Sequence, residues 1–291
     1  MPQKVQLIGS PVKHSLSPAI HNAAYQALQL PYEFSVYDLP TEQISRYFKE
    51  ETPEVSALAV TAPHKHQILP YLDAIEPMAS TLSVVNTVVF SANIATGFNT
   101  DVYGIRQALL EAPTALTKLA ETSPHLVIVG AGATAISAMM AGAELGVKKQ
   151  SVIARSFHKP PSIIKIAASL GIEIQAIPLK QNKLVEKTLQ TAELVISTIP
   201  SAEFTRLALL LEQSLLEPLV LEADYAQVSP LGREKLAATD SYINGTRLLL
   251  HQAIQQFSLH TGQTAPVEIM EAALRKALKK QGAAPFLFER T

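Results

Sequence analysis

The sequence predicts an α/β fold in two domains with mainly parallel strands. Short apolar runs alternate along it with longer segments of helical period, the pattern of strands joined by crossover helices. The run Leu126-Val127-Ile128-Val129 meets the turn Gly130-Ala131-Gly132 and then an apolar helical stretch, as at the opening of a nucleotide-binding half. At 291 residues the chain is long enough for two domains, each with its own core.

In the first part, strands are predicted at residues 5–8, 34–37, 57–61 and 84–89. Between the first two, Ser17-Pro18 ahead of Ala19, Ile20, Ala23 and Ala24 reads as an N-cap, a proline at the first helical position and an apolar stripe. That helix is expected to end near Leu30-Pro31. The second part opens with a helix near Val102, passes the polar stretch Glu121-Thr122-Ser123-Pro124, and enters the strand at 126–129. Further strands are predicted at 151–154, 173–176, 194–197 and 219–222, with helix-length segments between them. After Asn244-Gly245 a long helix runs through His260, and another covers about 267–280.

A formal net charge of −1 and the absence of a long basic run argue against nucleic-acid binding through phosphate neutralisation. The chain has no cysteine, which removes disulfides, thiolate metal sites and a cysteine nucleophile. Its eight histidines show no paired ligand spacing, so no metal site is predicted, and His14, His64 and His66 read as loop histidines. The N-terminal segment reads as a first strand rather than a signal peptide. No apolar run approaches the roughly 18 residues that suggest a membrane span. A cytoplasmic enzyme acting on a small molecule is the simplest class left.

Gly130 permits the tight turn after the strand, and Gly132 lets a pyrophosphate approach backbone N–H groups at the helix N-terminus, with Ala135 at the third small position. The next predicted strand ends in Ala154-Arg155-Ser156, with Lys159 close behind. An acidic residue there would bind the adenosine ribose hydroxyls of NAD, whereas Arg and Ser suit a 2′-phosphate, so the reading is NADP rather than NAD. The bland account of Arg155 and Lys159 is a solvated loop.

In the loop Gly9 to Pro18, Ser15 and Ser17 either hold a carboxylate, aided by the helix N-terminus, or only close the turn and cap the helix. Lys65, in Val60-Thr61-Ala62-Pro63-His64-Lys65, follows a buried run. With an ordinary pKa of about 10.4 it needs desolvation or a relay to donate a proton at neutral pH; by itself it reads as a solvated lysine at a helix start. Asp101, in Asn99-Thr100-Asp101, stands where helix N–H groups favour its ionised form, with Thr100 or Asn99 as the cap. It suits orienting Lys65 and a substrate hydroxyl, and serves equally as a helix-start carboxylate.

Together, His14-Ser15-Leu16-Ser17-Pro18 with His21-Asn22, Val60 to Lys65, Val85-Asn86-Thr87, Asn99-Thr100-Asp101, the glycine turn and Gly245 through Gln252-Ala253 resemble the shikimate dehydrogenase family, in the family's order and over nearly the whole chain. The resemblance implies an α/β substrate domain at 1–101 plus 246–291 and a Rossmann-type NADP-binding domain at 102–245, with the C-terminal helices returning to the substrate domain. It implies Lys65 and Asp101 as the catalytic pair. Ser15, Ser17, Thr61, Asn86, Asp101, Tyr225 and Gln252 would surround the substrate. Gly130, Ala131, Gly132, Ala133, Thr134, Ala154, Arg155, Ser156, Lys159, Ala223 and Gly245 would face NADP.

Several positions depart from the family pattern. Ala59 and Ala154 stand where asparagine is usual, Ser156 replaces threonine and Val102 replaces glycine. Ser197-Thr198-Ile199-Pro200 alters the usual Asn-Ala-Thr-Pro, and His260 takes a tryptophan position. The implied reaction is the reversible, NADPH-dependent reduction of 3-dehydroshikimate to shikimate by a monomer or homodimer. Its rivals are a quinate/shikimate dehydrogenase using NAD or NADP, and a non-catalytic sensor of a shikimate-like acid.

Overall fold

The computed structural model describes residues 2–112, 124–158, 160–212, 214, 216–225 and 241–281; residues 121–123 of the polar stretch and Lys159 lie outside them. The chain divides into two compact units, Met1–Thr100 with Leu249–Thr291, and Asp101–Leu248.

The first unit begins with β1 (Gln3–Gly9), α1 (Ser17–Ala27), β2 (Tyr32–Asp38), α2 (Ile44–Glu50) and β3 (Val55–Val60). It continues with β4 (Ala74–Ile75), α3 (Pro77–Leu82), β5 (Thr87–Ser91) and β6 (Ile94–Phe98). The strands form one sheet in the order β2-β1-β3-β5-β6-β4. Strand β1 runs parallel to β2 and β3, whereas β5 is antiparallel to both β3 and β6. Strand β4 runs parallel to β6, so the sheet is mainly parallel, as expected, with β5 as its one antiparallel strand.

The reason is the two-residue turn Ala92-Asn93, both at positive φ (49° and 62°), the geometry that closes a tight hairpin. Strand β6 goes unpredicted for the same reason, and β5 lies at 87–91 rather than 84–89. Helix α1 stops at Ala27, short of the expected Leu30-Pro31, because Gln29 turns to φ 52° and Leu30 N–H closes back on the Tyr25 carbonyl at 2.9 Å.

The second unit runs α4 (Asp101–Leu110), β7 (His125–Val129), α5 (Ala133–Glu144), β8 (Lys149–Ala154), α6 (Ile163–Ser169) and β9 (Ile174–Pro178). It continues with α7 (Asn182–Gln190), β10 (Leu194–Ser197), α8 (Ser201–Glu212), β11 (Leu219–Glu222) and β12 (Tyr242–Asn244). All its pairings are parallel, in the order β12-β11-β10-β7-β8-β9. This is the doubly wound arrangement, with its switch point between β7 and β10. Val127, Val129, Ile153, Val195, Phe204 and Val220 share the core on one sheet face, and strands covered on both faces read as continuous apolar runs.

Helix α9 (Gly245–Thr261) starts in the second unit and enters the first, where α10 (Val267–Lys280) packs along α1. The inner face of α9 meets an aromatic cluster in the first unit. His21 stacks on Phe34 with centroids 4.5 Å apart, and the Tyr25 hydroxyl donates to His260 Nε2 at 2.7 Å. His260 Nδ1 lies 2.6 Å from the Gln256 carbonyl; a carbonyl only accepts, so Nδ1 carries the proton and Nε2 is the acceptor. Burial pushes the His260 pKa down to about 4, against the pull of the Gln256 carbonyl. Burial, then the neighbouring His260, pushes His21 down to about 3.

Both histidines thus fold neutral. Below about pH 6.5 the unfolded chain takes up protons that the folded chain refuses until pH 4 or lower, so stability falls as pH drops through that window, by on the order of a few kcal/mol. Urea denaturation from pH 8 to 4 is expected to show this slope, and His260→Phe is expected to flatten it.

Candidate active site

Strands β1 and β3 are parallel neighbours, so their C-terminal ends, Gly9 and Val60, open loops at the same sheet edge. The two loops touch. Ser10 N–H donates to the Ala62 carbonyl at 3.1 Å and Thr61 N–H to the Ile8 carbonyl at 2.9 Å. A Cβ on Gly9 would collide with the Thr61 methyl group, so the glycine is what lets them meet.

In the first loop the cap stands one residue earlier than expected. Leu16 is the N-cap of α1 and Ser17 its first residue, with Pro18 beside it. Ser15 Oγ accepts the Ser17 N–H at 3.2 Å, so Ser15 closes the turn, while Ser17 is buried at the helix start.

Lys65 lies on a half-buried turn, not at a helix start, and both its neighbours are anchored. His64 lies in the loop, as expected, and is fully buried there. Its Nε2 donates to the Leu39 carbonyl at 2.6 Å and its Nδ1 meets the Gln67 side-chain amide at 3.0 Å. His66 Nδ1 donates to the Ser83 carbonyl at 3.0 Å, and the Lys65 carbonyl itself accepts Val85 N–H at 2.8 Å. The lysine turn is therefore bonded to the segment that leads into Asn86.

Asn86, 2 % exposed, is the hub of this lattice. Its backbone N–H donates to the Phe98 carbonyl at 3.0 Å and its carbonyl accepts Val60 N–H at 2.7 Å. Its Oδ1 accepts Thr100 N–H at 2.7 Å and the Thr87 hydroxyl at 3.1 Å, and its Nδ2 donates to Thr100 Oγ1 at 2.9 Å. Asn99 Nδ2 reaches the Val84 carbonyl at 3.2 Å. Thr100 and Asn99, expected as helix caps, thus face the Asn86 segment, and Asp101 follows as the buried first residue of α4. Gln252 is buried on α9, its Nε2 donating to the Leu249 carbonyl at 2.8 Å.

The second unit gathers the other set at its switch point. Gly130 has φ +114°, and a Cβ there would strike Thr198 Oγ1. Thr198, at the end of β10, bonds back to the Val129 carbonyl through both its N–H at 2.8 Å and its hydroxyl at 2.9 Å. Gly132 is the N-cap of α5 with no side-chain cap, and a Cβ there would meet nothing within 4 Å. Clear space thus lies beside the N-cap of α5, where an uncapped helix start suits a pyrophosphate.

Ala131, Ala133 and Thr134 are half-buried beside that turn. Ala154 is buried at the end of β8, and Arg155 and Ser156 beyond it are exposed. The Arg155 guanidinium sits 4.0 Å from Glu203 and keeps 80 % of its side-chain surface. Ala223 N–H donates to the Ser197 carbonyl at 2.8 Å, and a Cβ on Gly245 would collide with the Ala223 carbonyl. Tyr225 is half-buried after β11.

Sequence reasoning missed Thr87, His64, His66 and Gln256 as parts of this construction. The only available signal was the polar character of residues 86–87 beside an apolar strand.

A shikimate dehydrogenase (NADP(+)) of Methanopyrus kandleri is 31 % identical over 285 residues, which cover 94 % of this chain and 96 % of that one. The chain belongs to the shikimate dehydrogenase family. Two family models agree, the shikimate dehydrogenase substrate binding domain over residues 7–88 and the shikimate 5'-dehydrogenase C-terminal domain over residues 245–275. Among solved structures, shikimate dehydrogenase of Mycobacterium tuberculosis superposes with a TM-score of 0.81 at 29 % identity, covering 94 % of this chain and all (100 %) of that one. Shikimate 5-dehydrogenase of Thermus thermophilus, solved with NADP(H) and shikimate, gives 0.75 at 27 % identity and covers 96 % and 100 %. Family membership thus agrees with the two-unit α/β fold and the all-parallel second sheet.

Gly130→Ala is expected to lower stability by about 1–3 kcal/mol, since a residue with a Cβ must hold φ +114° against Thr198. Gly132→Ala is expected to leave the melting temperature near that of the wild type and to weaken NADP binding. Thermal melts with and without NADP separate the two.

Proposed function

We propose that the protein is an NADP-dependent shikimate dehydrogenase, reversibly reducing the ring ketone of 3-dehydroshikimate to shikimate, in the cytoplasm and as a monomer or homodimer. The observation that carries the reading is the lattice around Asn86. It fixes the Lys65 turn, the Asn86 amide and the Thr100-Asp101 peptide in one hydrogen-bonded body, as a proton donor and its orienting partners require.

In this reading residues 1–101 and 246–291 bind substrate and residues 102–245 bind NADP. NADPH, when bound, supplies the hydride to the carbonyl carbon. Lys65 Nζ gives a proton to the carbonyl oxygen, and Asp101, at the start of α4, orients the lysine and a substrate hydroxyl. Ser15 and Ser17 hold the carboxylate, and Thr61, Asn86, Tyr225 and Gln252 orient the ring hydroxyls. Gly130, Ala131, Gly132, Ala133 and Thr134 hold the pyrophosphate. Arg155 and Ser156 after Ala154, with Lys159, hold the 2′-phosphate, and Ala223 and Gly245 line the nicotinamide end.

The test follows reduced nicotinamide by absorbance with shikimate or quinate crossed with NADP or NAD. Shikimate with NADP is expected to be the preferred pair. Lys65→Ala is expected to lose about 10²–10⁴-fold in kcat with shikimate binding retained. Arg155→Ala is expected to raise KM for NADP and leave KM for NAD unchanged. Preference for quinate or NAD would establish the broader dehydrogenase, and binding without turnover in every pair would establish a sensor.

A further inference from the structure

Gln256 lies on the inner face of α9, 4 % exposed, and belongs to none of the sets assigned above. Its Nε2 donates twice, to the Asn86 carbonyl at 3.1 Å and to Thr87 Oγ1 at 2.9 Å. The amide orientation is unambiguous, because a carbonyl only accepts and so the nitrogen faces Asn86. The Asn86 carbonyl, already holding Val60 N–H at 2.7 Å, is thereby saturated on both lone pairs.

The second bond sets a direction. A Thr87 oxygen that accepts from Gln256 has its own proton to give, and it gives it to Asn86 Oδ1 at 3.1 Å. That oxygen also takes Thr100 N–H at 2.7 Å. With its oxygen held from two sides, the Asn86 amide is fixed in orientation, its Nδ2 donating to Thr100 Oγ1 at 2.9 Å and standing as the donor end that a substrate oxygen would meet. Reversing the Gln256 amide would set its oxygen against the Asn86 carbonyl, and reversing the Asn86 amide would set its nitrogen against Thr100 N–H.

We propose that Gln256 is a positioning residue of the substrate site, which through Thr87 and the Asn86 carbonyl fixes Asn86 as a hydrogen-bond donor toward an acceptor oxygen of the substrate. The inference rests on the shikimate dehydrogenase reading, and it adds a group that touches only other protein groups. Its backing is rigid: His260 Nδ1 bonds the Gln256 carbonyl and His260 Nε2 takes the Tyr25 hydroxyl, so this turn of α9 is held from α1.

The experiment compares wild type, Gln256→Met, Gln256→Glu and Thr87→Val. Gln256→Met keeps the volume without the donors, and its kcat/KM for shikimate is expected to fall roughly three- to tenfold, mainly in KM, the loss of one buried hydrogen bond. KM for NADP and the melting temperature are expected to stay near wild type. Gln256→Glu is expected to lose activity at pH 8 and recover it relative to wild type at pH 6, where the protonated carboxyl again donates. Thr87→Val is expected to match Gln256→Met, and the double variant to be no worse than either.

Wild-type KM for shikimate in a folded Gln256→Met overturns the proposal, as do equal losses of shikimate and NADP affinity. If Gln256→Met does not fold, the pH-dependent recovery of Gln256→Glu decides, and its absence overturns the proposal. A wild-type protein with no shikimate turnover overturns the functional reading and this inference together.

Discussion

Residues 84–87 enter the first unit as buried backbone that belongs to no regular pairing until Thr87, and a buried peptide group without a partner costs about as much as the hydrogen bond it lacks. Each of these groups finds a separate partner: Val84 N–H the Ala79 carbonyl, Val85 N–H the Lys65 carbonyl, Asn86 N–H the Phe98 carbonyl. Those partners are helix α3, the turn with the candidate proton donor and the strand that leads to Asp101. The need to satisfy one short irregular segment thus places the chemistry, and the sheet on either side is the frame that holds the partners still.

The second unit meets its own constraint by different means. At the switch point the ends of β7 and β10 close on each other through Thr198 and the Val129 carbonyl, leaving no volume for a side chain at residue 130. Just beyond, at Gly132, the constraint is opposite: space is kept clear. Two glycines in one turn therefore serve unlike purposes, one admitting a protein neighbour and the other leaving room for a ligand.

Much of this was legible from the chain. Short apolar runs such as 126–129 and 219–221 announced the parallel strands, because strands covered on both faces read as continuous apolar runs and these are too short for a buried helix. The resemblance marked Lys65, Asn86 and Asp101. What stayed hidden has a common cause: it depends on partners distant in sequence. His64 looks like any loop histidine until the Leu39 carbonyl meets it, and residues 84–86 look like strand until the Lys65 turn takes the Val85 N–H. Ala59, where the family pattern led one to expect an amide, pairs with Thr87 in the sheet, and Thr87 is the residue to which Gln256 brings an amide from α9.

The lattice around Asn86 is closed by Gln256, 170 positions away in the chain, and the stretch from Asp101 to Leu248 forms a separate compact unit. On a ribosome, the second unit is therefore synthesised whole while the first still lacks its last helices. At about 5–20 residues per second the N-terminal part waits roughly 7–30 seconds for α9 to emerge. During that interval the Asn86 carbonyl and the Thr87 hydroxyl lack the bonds that Gln256 later supplies. Completion of the two units is thus ordered in time, with the whole of the second unit synthesised before the first receives the helix that closes its lattice.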